Sequence, residues 1–311
     1  MVEKGQAIIV EGLHYSYSKV KALDGISLSV PYGTVFALIG PNGAGKTTLV
    51  KILLGALKPK SGRVTVLGRD PRDIEAKAKI GFLPERVNLP GDWSALKFMS
   101  YIGYLCRLSR REARERSLDL LRWMGLEENA EDLIKSFSAG MKQRLLIAQS
   151  LINDPELLIY DEPTSNLDAL GRHEVLEKIR ELKEEGKTVF LSGHVLSEVE
   201  KVSDYVVIMS HGRVILEGEL EKLKTRGLTN TFELKTNDLQ RTEELLSGLN
   251  SVINIMRVRD HLEVEVKDSS QASKEIPRVL VEAGLELLRF NRVKRSLEEI
   301  FLKLLEEEEK R

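Results

Sequence analysis

Short β-like runs recur through the first seventy residues, at 7–10, 25–30, 34–39 and 62–67, with turn formers between them. Runs of this length bounded by turns predict strands. The third burst runs into a glycine-rich segment and then into 46–56, which reads as a helix. Between Asp92 and Lys135 the spacing lengthens to three and four, as in Leu105 and Leu108 or Leu118, Leu121 and Met124. That period predicts an inserted helical stretch. Strand and helix then alternate: strand 155–160, helix 169–185, strand 188–192, helix 196–202, and a last strand pair at 205–209 and 213–216. Such alternation implies an α/β core with helices packed on a largely parallel sheet.

Around 221–230 the chain turns polar, with Gly227 and no strong period, and a domain boundary is expected there. Beyond it the pattern predicts strand 231–235, helix 239–249, strands 252–258 and 262–266, helix 272–283, strand 285–290 and helix 297–305. The first six follow the ferredoxin-like order β-α-β-β-α-β, with Arg259, Asp260 and His261 as the hairpin turn. The run 306–311 is charged and reads as a solvated helix end.

Composition narrows the classes. The chain has 311 residues, 42% hydrophobic and 31% charged, with a net charge of −1. That balance gives no overall electrostatic reason to bind nucleic acid or an anionic bilayer. A single cysteine, Cys106, rules out an intramolecular disulfide and fits a reducing cytosol. The start is polar, with no signal-peptide pattern. No apolar run nears the roughly 18–20 residues of a membrane helix, so membrane association is expected through a partner.

Candidate chemistry begins with Gly40, Pro41, Asn42, Gly43, Ala44, Gly45, Lys46, Thr47 and Thr48. Two glycines, a lysine and a threonine between strand and helix form a P-loop pattern. Glycines let backbone N–H groups converge on phosphate oxygens, and the following helix aims its positive end there. Lys46 is placed to neutralise the β- and γ-phosphates, and Thr47 to offer a hydroxyl to Mg²⁺. Downstream, Leu157, Leu158, Ile159 and Tyr160 lead into Asp161 and Glu162. A carboxylate at the end of an apolar strand can hold Mg²⁺. Glu162 can then polarise a water for in-line attack on the γ-phosphate.

Between these two motifs lies Phe137, Ser138, Ala139, Gly140, Met141, Lys142, Gln143 and Arg144. With it the chain, from Ala7 to about Glu219, resembles the nucleotide-binding domain of ABC proteins, whose signature reads Leu-Ser-Gly-Gly-Gln. The resemblance implies a P-loop NTPase core with an N-terminal antiparallel β subdomain and an inserted α-helical subdomain at about 86–145, all within residues 1–224. A small α+β, ferredoxin-like domain would follow at 225–311. The end of the chain, Arg295 to Leu302, resembles the closing helix of a domain appended to exporter ATPases.

The same resemblance implies the remaining roles. Ser138 and the N–H groups about Gly140 would bind the γ-phosphate of ATP held by a second copy. Asp168, closing the run Ser165, Asn166 and Leu167, would line the same interface. His194 would sit on the γ-phosphate and the attacking water. Tyr17 would stack on adenine, with Tyr15 as the competitor. Glu85, after Leu83 and Pro84, stands where the family carries glutamine and would offer an oxygen to Mg²⁺. Ala139 and Met141 depart from the signature; a Cβ at 139 restricts positive φ and close backbone approach, and Met141 cannot hydrogen-bond ribose. ATP and Mg²⁺ are the implied ligands. A second copy and a separate membrane permease are the implied partners, with no nucleic acid. The chain would be cytoplasmic, held on the inner face of the membrane, and would energise export. An importer ATPase, or a soluble ABC ATPase outside transport, are the alternatives. Trp93, Phe98, Met99, Tyr101 and Tyr104 read either as a docking groove for the permease or as core.

Overall fold

The computed structural model describes residues 5–18, 20–226 and 228–294. In the N-terminal unit, β1 (Gln6–Tyr17) pairs antiparallel with β2 (Val20–Pro31) on one edge and β4 (Ser61–Val66) on the other. The register sets Val10 opposite Leu28 and Ile8 opposite Val66, so the apolar positions share one buried face. Both long strands extend well beyond the predicted stretches. Pairing continues through register shifts near Val10 and Leu13, where the alternation that marks a strand breaks.

The central sheet has six strands. Its members are β3 (Val35–Ile39), β5 (Ile80–Leu83), β6 (Leu157–Asp161), β7 (Thr188–Gly193), β8 (Tyr205–Ser210) and β9 (Arg213–Glu219). Their order is β5-β6-β7-β3-β8-β9, parallel except for the last pair. Every residue of β3 and β6 is buried, as continuous apolar runs covered on both faces must be. Phe36 and Phe190 stack across neighbouring strands at 5.6 Å.

Helices α1 (Lys46–Leu53), α2 (Ile74–Lys77), α3 (Ala95–Leu105), α4 (Arg110–Trp123), α5 (Ala139–Ser150), α6 (Ala169–Glu184) and α7 (Leu196–Val199) complete this unit. The inserted hairpin starts cleanly at both ends. Ser94 caps α3 through the Lys97 N–H at 3.2 Å, and Ser109 with Glu112 forms a capping box on α4. The aromatic stretch divides between its two readings. Phe98 and Met99 are core, whereas Tyr101 and Tyr104 are exposed and Trp93 packs edge-on against Tyr101.

The chain divides after Leu220 into this unit and a second one. Where the sequence suggested only a polar segment there is a helix, α8 (Leu220–Arg226). Its buried leucines, Leu220 and Leu223, are too few to show a period. The second unit continues with β10 (Leu228–Thr236), α9 (Leu239–Ser247), β11 (Val252–Val258), β12 (His261–Val266), α10 (Ser269–Glu282) and β13 (Leu287–Lys294). Its sheet order is β11-β12-β10-β13, antiparallel throughout. Phe232, Leu234, Leu262 and Val264 cover one face with Leu246, Ile276 and Leu280 of the helices. The hairpin turn is Arg259 and Asp260, since Val258 already pairs with His261. The expected helix at 297–305 and the charged tail lie outside the described residues.

Candidate nucleotide site

Three parallel strands end together. Register sets Ile39 opposite Gly193 and Asp161 opposite Ser192, so Gly40, Glu162 and His194 all emerge at the carboxyl edge of the sheet, where α/β folds place ligands. The loop from Gly40 to Gly45 is shaped by close backbone approach. A Cβ on Gly40 would lie 2.3 Å from the Met209 carbonyl oxygen. Gly45, at φ +102°, would place a Cβ 2.4 Å from the Ala22 carbonyl oxygen. No side chain caps α1, and the first N–H groups of a helix have no partner within it. Ala44 is buried within the loop, its N–H donating to Pro41 O at 3.2 Å. Asn42, Gly43 and Thr47 are exposed, and Thr48 is buried. Lys46 is only 6% exposed, and its ammonium donates to Gly40 O at 2.7 Å and Pro41 O at 3.3 Å.

Opposite it stand the acids. Glu162 holds one carboxylate oxygen 3.6 Å from Lys46 Nζ and the other 2.7 Å from His194 Nδ1. Its backbone is left-handed, φ +54°, an uncommon conformation for a residue with a Cβ and one that clusters at functional sites. Asp161 is 4% exposed. Ser192 Oγ donates to Asp161 Oδ1 at 2.5 Å and accepts from the Glu162 N–H at 3.0 Å, joining the two carboxylate residues. Burial pushes the Asp161 carboxyl above its ordinary range. The Ser192 bond opposes that rise, the negative charges of Glu162 and Glu85 add to it, and Lys46 opposes it. Ser192 carried no separate role in the sequence reading, because its contact depends on strand register.

A divalent cation fits this donor set. Among the described residues no three His, Cys, Asp or Glu gather as a metal cage. Asp161 and the exposed Thr47 hydroxyl are hard oxygen donors beside a phosphate cradle, and Mg²⁺ characteristically takes one or two carboxylates plus substrate phosphate and water. Glu85 is exposed, with Arg86 at 3.4 Å.

The other sequence-predicted residues make no hydrogen bond or ion pair to Lys46, Glu162 or His194 among the described residues. Ser138 is the N-cap of α5, its Oγ accepting from the Met141 N–H at 3.2 Å, and it is exposed. Ala139 is the first helical residue and is not among the residues at positive φ, so its Cβ imposes no strain. Gly140 follows it in the same first turn. Asp168 caps α6 through the Gly171 N–H at 2.8 Å. Tyr17 is 44% exposed and meets Tyr15 edge-on at 5.0 Å, whereas Tyr15 is half-buried against the core. The exposed ring face therefore belongs to Tyr17.

Comparison with known proteins agrees with this geometry. The family described as ABC transporter matches residues 23–165, which include the whole Gly40–Thr48 loop, Ser138, Asp161 and Glu162. Over 96% of its length the chain is 35% identical to the daunorubicin resistance ATP-binding protein DrrA3 of Streptomyces coeruleorubidus, of which it covers 95%.

The chain belongs to the ABC transporter ATP-binding proteins.

It is an ATPase of that family, built on the P-loop fold, and binds nucleotide. The DrrA1-3-like C-terminal domain matches residues 218–305. Nod factor export ATP-binding protein I of Ralstonia nicotianae is 36% identical over 77% of this chain and 76% of its own length. A solved ATP-binding subunit of an ABC transporter superposes with a TM-score of 0.64 at 31% identity, covering 71% of this chain and 92% of that one. ABC ATPase cassettes work as dimers with membrane permease partners. Among the described residues no helix of this ABC ATP-binding protein is long and apolar enough to cross a membrane.

Proposed function

We propose that this ABC ATP-binding protein energises export through a separate membrane permease. The observation that carries the hydrolytic half of this reading is the Glu162 carboxylate, held between Lys46 at 3.6 Å and His194 at 2.7 Å. Backbone N–H groups of residues 40–48 would cradle the phosphates, with Lys46 neutralising the β- and γ-groups and Tyr17 stacking on adenine. Glu162 orients the attacking water and draws its proton, and His194 keeps that carboxylate aimed at the γ-phosphate. Thr47, Asp161 and Glu85 would hold Mg²⁺, which when bound neutralises charge on the phosphate oxygens.

Ser138 is exposed at the N-terminus of α5, with Gly140 in the same first turn. They suit the γ-phosphate of ATP bound by a second copy, with Asp168 at the same seam. ATP would close the pair, and loss of the γ-phosphate would release it. Export, rather than import, is favoured by the names of the export and resistance relatives. The Leu83, Pro84 and Glu85 variant and the appended domain point the same way. Residues 225–311 would serve regulation or dimer stability. The protein would lie on the cytoplasmic face of the membrane, held by the permease.

The test is ATP turnover by the purified chain with Mg²⁺. Glu162→Gln is expected to lower kcat by about a hundredfold or more while ATP binding persists. Turnover within about threefold of the parent would contradict the assignment of Glu162.

A further inference from the structure

Glu198 is a buried charge that the chemistry above does not use. It is 9% exposed and sits on the short helix α7. Both carboxylate oxygens are bonded: Oε2 accepts from Thr164 Oγ1 at 2.7 Å, and Oε1 accepts from Arg172 Nη1 at 2.9 Å. Arg172 reaches further, its Nε donating to the Leu167 carbonyl at 3.1 Å. A carboxylate withdrawn from water is costly unless charge and hydrogen bonds compensate it. Here both do, and every partner belongs to the loop that follows Glu162 or to the helix that the loop enters.

The contacts form a ladder between two segments. Ser192 bonds the Asp161 carboxylate and the Glu162 N–H, His194 bonds the Glu162 carboxylate, and Glu198 bonds Thr164. The reactive rung is the middle one, with a rung on either side. Glu162 opens its loop in a left-handed conformation, φ +54°, which costs on the order of 1 kcal/mol for a residue with a Cβ. Such a loop holds its geometry only when it is pinned on both sides of the strained residue.

We propose that Glu198 is a positioning residue for ATP hydrolysis. Through Thr164 it fixes the spacing between the segment bearing Glu162 and the segment bearing His194. Through Arg172 it also sets the Leu167 carbonyl, one residue before Asp168. The inference rests on Glu162 and His194 acting as the hydrolytic pair.

The experiment is steady-state ATP hydrolysis by the full-length chain. Thr164→Val and Glu198→Ala are each expected to lower kcat about tenfold with KM for ATP changed less than about twofold, and Thr164→Ser to retain parental kcat. The double variant should be no slower than the slower single one, since both remove the same bond. In a His194→Ala background Thr164→Val should cost less than about twofold, because the rung it supports is already gone. Thr164→Val keeps the side-chain shape, so it answers the question even where Glu198→Ala folds poorly. Losses that multiply in the His194→Ala background, or a rise in KM at constant kcat, would overturn the proposal. Should Glu162→Gln be inactive while Thr164→Val matches the parent, this inference alone fails. Should Glu162→Gln turn over normally, the reading of the site fails and carries this inference with it.

Discussion

Asp161 is the least comfortable residue of the site. It is nearly sealed from water, and the like charges of Glu162 and Glu85 add to a rise that burial begins. Because its folded pKa is raised, its contribution to stability is fully present below the unfolded carboxylate value and is lost as pH rises through the folded one. Near neutral pH the ionised form therefore costs stability, as expected of a residue kept for the cation-binding role proposed above. Asp161→Asn keeps an oxygen for the Ser192 hydroxyl. It is expected to raise the stability of the nucleotide-free protein at pH 7.5 by about 1 kcal/mol while abolishing turnover. Thermal unfolding at several pH values checks this. The gain should shrink as pH falls toward the ordinary carboxylate range, and a gain independent of pH would count against the cause given. At this scale the places of Lys46, Asp161, Glu162 and His194 in the fold were legible in the sequence, because a motif fixes each relative to a strand end. Ser192 as a bridge and Glu198 as a buried hub were not. Their partners lie about thirty residues away in the chain, and only strand register brings them near.

At the scale of the element, the proposed function makes its sharpest demand on the N-terminus of α5. A Cβ at position 139 threatened close phosphate approach if that backbone needed positive φ. It does not: Ala139 is the first residue of the helix, directly after the Ser138 cap. Ala139→Gly, which restores the family's usual residue, is expected to leave kcat within about twofold and to lower stability by about 0.5 kcal/mol. Chemical denaturation with a parallel turnover assay checks both. A large rise in turnover would show that the Cβ does obstruct the site. Element type was legible wherever the period was long, as in the inserted helices and the buried central strands. It failed where length or pairing decided the outcome. α8 holds two buried leucines and no period, and β1 runs through its register shifts to Tyr17 on the strength of two paired neighbours.

At the scale of the molecule, the proposed function divides each site between two chains. Lys46, Glu162 and His194 form one contiguous cluster, while the exposed Ser138 caps α5 and has no hydrogen bond to any of them among the described residues. A helix N-terminus favours an anion, and in the proposed function a second copy's ATP would supply one. The two-unit organisation was legible from the composition change near Gly227, and the ferredoxin-like strand order from six alternating segments. The most direct measurement is the solution mass of the Glu162→Gln chain by light scattering, with and without ATP and Mg²⁺. A shift from monomer to dimer on adding ATP is expected, with two nucleotides retained per dimer and the shift abolished by Ser138→Arg. A chain that binds ATP tightly and stays monomeric would contradict the shared site.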